Sequence, residues 1–88
     1  MEIIIPNYAK ERIKTYNLTE DLVRDALINP DETVKGYEGK IIAHKLLNEH
    51  LLRVVYIKIE EGLKVITVYP AKKERYWRRK WKQDTIRM

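Results

Sequence analysis

The spacing of apolar residues changes at Asn29-Pro30, and that change limits the chain to folds in which helices come first and strands after. Before it the period is helical. Ala9, Ile13 and Tyr16 fall at i, i+4 and i+7, and Asn7 is placed to cap a helix over about residues 8–16. Leu22, Val23, Ala26 and Leu27 form a second stripe. Thr19 is its N-cap, and Glu20 and Asp21 stand in the first turn, where the helix dipole favours acids. Leu18 and Val23 have the spacing of a hydrophobic staple around that cap, and Asn29-Pro30 stops the helix. Ahead of both helices, Ile3-Ile4-Ile5 ended by Pro6 predicts a strand. After Pro30 the period is two. A short strand at about 33–35 leads into a turn at Gly36-Tyr37-Glu38-Gly39, and longer strands are predicted over about 40–48, 51–60 and 63–69, the last ended by Pro70. The order β-α-α-β-β-β-β predicts an α+β fold, a helical hairpin packed on one face of a mainly antiparallel sheet.

Two-residue loops at Glu49-His50 and Glu61-Gly62 would pair residue 45 with 54 and residue 56 with 67. One sheet face then carries Ile42, Val55, Ile57, Ile66 and Val68, with His44 and Arg53 among them, and is expected to lie under the helices. The other carries Lys45, Val54, Tyr56, Lys58, Thr67 and Tyr69, a mixture of cations and rings expected to face solvent. A slip of one residue would invert the assignment.

Charge narrows the class of partner. Residues 1–70 hold ten Lys/Arg against eleven Asp/Glu, a net −1, whereas residues 71–88 hold eight against two, a net +6. A neutral body with a cationic end points to a polyanion. Trp77 and Trp81 lie four apart with Arg78, Arg79 and Lys80 between them, a pattern suited to phosphate contact with base stacking. The expected division is therefore a domain over 1–76 and a basic tail over 77–88. The 88 residues include no cysteine, no stretch near the length of a membrane span and no signal-peptide pattern, so the expected setting is the cytoplasm, away from membranes. A 35% share of charged residues resembles thermophile composition. No His, Cys or carboxylate cluster has metal-ligand spacing, and there is no glycine-rich phosphate loop or nucleophile elbow, so no metal or cofactor is expected. His44 is expected at the core edge and His50 in a solvated turn.

The stretch Lys45-Leu46, a tight turn, then Leu52-Arg53-Val54-Val55-Tyr56 resembles the sheet centre of the RelE/ParE toxin superfamily. Val65-Ile66-Thr67-Val68-Tyr69 followed by Lys72-Lys73-Glu74-Arg75-Tyr76 is similar to that family's last strand and its basic, tyrosine-bearing C-terminus. Ala9-x-x-Arg12, Tyr16-Asn17-Leu18 and Asn29-Pro30 resemble an uncharacterised group of short RelE-like domains. Together these cover most of residues 3–78. The resemblance implies a RelE-like β-α-α-β-β-β(-β) fold and the toxin of a toxin–antitoxin pair. RelE-type members of the superfamily are metal-independent endoribonucleases that cut mRNA on the ribosome and are held in check by a cognate antitoxin, whereas ParE-type members share the fold but act on gyrase; the RelE-type activity is the one expected here.

By position, the resemblance makes Lys45 a basic-strand residue, Arg53 the phosphate-binding arginine and Tyr76 the C-terminal tyrosine, with Lys72, Lys73 or Arg75 as the second cation. Ala43 stands where RelE itself carries a second lysine. Cleavage needs a group that takes the ribose 2′-hydroxyl proton and a cation that meets the growing phosphate charge. Arg53 suits the second task because its fork binds phosphate bidentately. Tyr76, among Lys72, Lys73 and Arg75, suits the first, with Lys45 as the other candidate. The expected nucleic-acid surface is Lys72, Lys73, Arg75, Arg78, Arg79, Tyr56 and Trp77. The alternative is a non-catalytic module of the same fold that binds nucleic acid or a protein; a DNA-binding regulator lacks support, because nothing resembles a recognition helix.

Overall fold

The computed structural model describes residues 1–72 of the chain. Its elements are β1 (Glu2–Ile4), α1 (Asn7–Thr15), α2 (Glu20–Ile28), β2 (Glu32–Lys35), β3 (Ile41–Leu47), β4 (His50–Ile59) and β5 (Gly62–Lys72). The class is α+β, with two helices and a five-stranded sheet in the order β1-β5-β4-β3-β2. β1 runs parallel to β5 and every other pairing is antiparallel. Among the described residues no helix is long and apolar enough to cross a membrane.

Local chemistry sets the helix ends. Pro6, not Asn7, is the N-cap of α1, and its carbonyl accepts from the amides of Ala9 and Lys10. Asn17 closes α1 in the left-handed region at φ 58°, with Leu18 N–H donating to the Ile13 carbonyl at 2.8 Å. Asparagine tolerates this conformation where other residues resist it. Thr19 caps α2 as its sequence position predicts, its hydroxyl accepting from Leu22 N–H at 3.1 Å.

The helices cover the sheet face opposite to the one expected. Ala9, Ile13, Val23, Ala26 and Leu27 pack on Ala43, Leu52, Val54, Tyr56, Leu63, Val65 and Val68, all buried in one cluster. Of the five residues expected there, Val68 is in this core, whereas Ile42, Val55, Ile57 and Ile66 are half-buried outside it. The two turns lie one residue earlier than expected, at Asn48-Glu49 and Glu60-Glu61. Lys45 therefore pairs with Leu52, and Tyr56 with Val65. A bulge between Val55 and Tyr56, opposite Ile66, then moves the rest of β5 by one residue, which carries Thr67 and Tyr69 across the sheet. Pro70 does not end β5 but sits within it, paired with Leu52. β1 pairs with β5 only at Gly62–Lys64, so among the described strands the proline lies on an unpaired edge where a missing N–H is tolerated.

Gly62 is not the turn residue but the seat of β1: a Cβ there would run into the Glu2 carbonyl, and its φ is 156°. Gly62→Ala is expected to lower stability by about 1–3 kcal/mol, which thermal denaturation would read as a fall in Tm of roughly 5–20 °C. An unchanged Tm would mean that β1 does not press on this residue.

Candidate functional site

Three of the expected site residues separate in space. Lys45 lies on the helix side of β3, where its Nζ donates to the Asn29 carbonyl at 2.8 Å and pairs with Asp25 Oδ2 at 3.3 Å. It thus meets a carbonyl at the C-terminal end of α2, a place that favours a cation. The Asn29 amide and Lys45 hold the Asp25 carboxyl below its ordinary pKa. Tyr56, expected on the nucleic-acid surface, belongs to the core at 7% exposure, and burial raises its phenol pKa. Its ring is therefore not presented for base stacking. Arg53 lies on the face away from the helices, so the sheet separates it from Lys45 and Tyr56. Lys72 is exposed at the end of β5. Lys73, Arg75, Tyr76, Trp77, Arg78 and Arg79 lie outside the described residues, as does the expected tail over 77–88.

Around Arg53 the pairing registers build a row that crosses four strands. Glu32 on β2 is opposite His44 on β3, His44 is opposite Arg53 on β4, and Arg53 is opposite Tyr69 on β5. Directly paired residues share a face, so carboxylate, imidazole, guanidinium and phenol stand side by side. His44 Nδ1 lies 2.8 Å from Glu32 Oε1, and Arg53 Cζ lies 5.5 Å from the centroid of the Tyr69 ring. The first contact fixes the orientation of the imidazole. The second lies within cation–π range and holds the plane of the guanidinium. His44 is 1% exposed and Arg53 7%. Leu51, on the same face of β4, is fully buried.

Strand alternation in the sequence places His44 on the same sheet face as Arg53, though not directly opposite it, whereas Glu32 and Tyr69 were not legible as members of the row. Glu32 joined it only through the β2–β3 pairing, and Tyr69 only through the bulge. Chemically, the row combines a carboxylate-oriented imidazole for proton transfer with a planar cation for an oxyanion. No protein-family model matches the chain, and neither curated proteins nor solved structures give a match.

Proposed function

We propose that the chain is a RelE-like toxin, a metal-independent endoribonuclease that acts on mRNA, with the ribosome as its setting and an antitoxin as its protein partner. The observation that carries this reading is the position of Arg53, set between His44 and Tyr69 on the sheet face opposite α1 and α2. A guanidinium there meets a phosphate while an adjacent imidazole meets the ribose hydroxyl. The net +6 of residues 71–88 supports RNA as the polyanion. Tyr76 retains the role implied by the resemblance, a second proton-transfer group or a platform on which a base stacks. Arg53 and His44 are almost wholly buried in the structure, so on this reading RNA contact through them would require a change of the surface around them.

A second reading has an observation in its favour. Ala43 is fully buried in the core, so the second basic-strand lysine of RelE has no counterpart, which fits a non-catalytic binding module of the same fold. Expression of the intact chain in a bacterial host separates the two. The enzyme reading expects growth arrest with cleaved mRNA. Normal growth, with mRNA intact both on and off ribosomes, would favour the binding module.

A further inference from the structure

We propose that residues 73–88 pack across the sheet face opposite α1 and α2, with Trp77 and Trp81 as the anchoring side chains. The inference does not depend on the endoribonuclease reading. It begins with burial that the described elements do not account for. α1 and α2 pack on the other face, through Ala43, Leu52, Val54, Val65 and Val68 among others. Strand parity turns His44, Leu51 and Arg53 away from them. Those three are nevertheless 1%, 0% and 7% exposed within the single chain. A bare antiparallel sheet face is solvated, so a further layer lies over this one. The described connections do not supply it. The α2–β2 connection continues the sheet edge, with Asp31 N–H donating to the His44 carbonyl and the Asp31 carboxylate accepting from Leu46 N–H, both at 2.8 Å. The β2–β3 turn closes between Gly36 and Lys40, at the end of β3 away from Leu46 and Leu51.

Burial also varies along the face. Leu46 is 37% exposed although it pairs with the fully buried Leu51. The cover therefore sits towards β4 and β5. Ala71 pairs with Leu51 and Lys72 with His50, so residue 73 begins beside the most deeply buried part of the face. Even wound as a helix, residues 73–88 would reach about 24 Å, against about 14 Å from β5 to β2 at the usual strand spacing. Composition fits as well. Ile42, Val55 and Ile57 stand half-buried on this face, and the segment holds both tryptophans of the chain, four residues apart. Indoles bury a large apolar area, while the seven Lys/Arg of the segment can lay their stems down and keep their charges in water. His44 and Arg53 each make interactions beyond the row, and buried polar groups are retained where partners meet them.

The full chain serves for the test, because Trp77 and Trp81 are its only tryptophans and, with no native cysteine, one introduced cysteine carries a label alone. The folded chain is expected to emit to the blue of the urea-unfolded chain and to resist acrylamide quenching, with no change on dilution. A nitroxide attached at Leu46→Cys, on the covered face, should dim that emission several-fold, whereas one attached at Glu11→Cys, on α1, should dim it far less. Replacing both tryptophans with alanine should lower the Tm by about 10 °C or more. Indoles that emit and quench in the folded chain as they do in urea would overturn the proposal, whatever the variants do. A blue shift that vanishes on dilution, together with a dimeric mass before it, assigns the cover to a second copy and overturns it too. So does stronger dimming from the α1 label than from the β3 label, or an unchanged Tm without the tryptophans. Each of these outcomes leaves the endoribonuclease reading to its own test.

Discussion

On the proposed endoribonuclease reading, replacing Arg53 with alanine is expected to slow RNA cleavage by roughly 10²–10³-fold, the loss associated with removing one donor that stabilises charge in the transition state. The phosphate carries more charge on its non-bridging oxygens as the 2′-oxygen attacks, and only a group already in place stabilises that charge without reorganisation. Arg53 is in place: its neighbours in the row are His44 and Tyr69, and the Tyr69 ring lies 5.5 Å from its Cζ. Arg53→Lys keeps the charge but loses the planar fork and the stacking, so it should recover only part of the rate. Growth arrest on expression should disappear with Arg53→Ala and weaken with Arg53→Lys, and circular-dichroism melting would separate lost chemistry from lost folding. Tyr76→Phe in the same assay assigns the tyrosine: a large loss marks a proton-transfer role, and retained activity leaves only stacking. Full toxicity of a folded Arg53→Ala chain would remove Arg53 from the mechanism.

The parts of this arrangement that depend on neighbours in the chain were legible in the sequence. Thr19 caps α2 where expected, Asn29-Pro30 ends it, and five strands form close to where their residues suggested. What failed was the choice of covered face, and the reason is physical. Lys45, Lys58 and Tyr56 made the true core face look polar. Lys45 escapes burial of its charge because the end of α2 supplies a carbonyl and Asp25, and Tyr56 contributes a large ring to the core. Neither compensation is local in sequence. The bulge opposite Ile66 is likewise set by how β5 meets β4, and one extra residue decides whether Tyr69 joins Arg53 or the helices. Arg53 was singled out through the expected resemblance, whereas Glu32 and His44 are twelve residues apart and became a pair only through the β2–β3 register.

Ala43→Lys, which would supply the second lysine that the RelE resemblance implies, is expected to destabilise the chain by about 3–5 kcal/mol rather than to strengthen catalysis. Ala43 has no exposed surface; it pairs with Thr33 and Val54 and shares the core with Val23, Ala26 and Leu27. A lysine at this point brings both extra volume and a charge without a partner. Two residues along, Lys45 avoids that penalty because its partly exposed amine reaches both the Asn29 carbonyl and Asp25. Stability of about 0.05–0.15 kcal/mol per residue gives a chain of this length about 4–13 kcal/mol in all, so the substitution removes a large part of it. Ala43→Met separates the two causes, since it adds volume alone and should lose about 1–3 kcal/mol. Burial depresses the amine pKa, so the charge penalty is complete below that depressed value and vanishes as pH rises towards about 10.4. Urea denaturation should therefore show the gap between Ala43→Lys and Ala43→Met narrowing with increasing pH. An Ala43→Lys chain as stable as the wild type, and more active on RNA, would mean that β3 presents this residue to the same face as Arg53. That outcome would overturn the register on which the row is built.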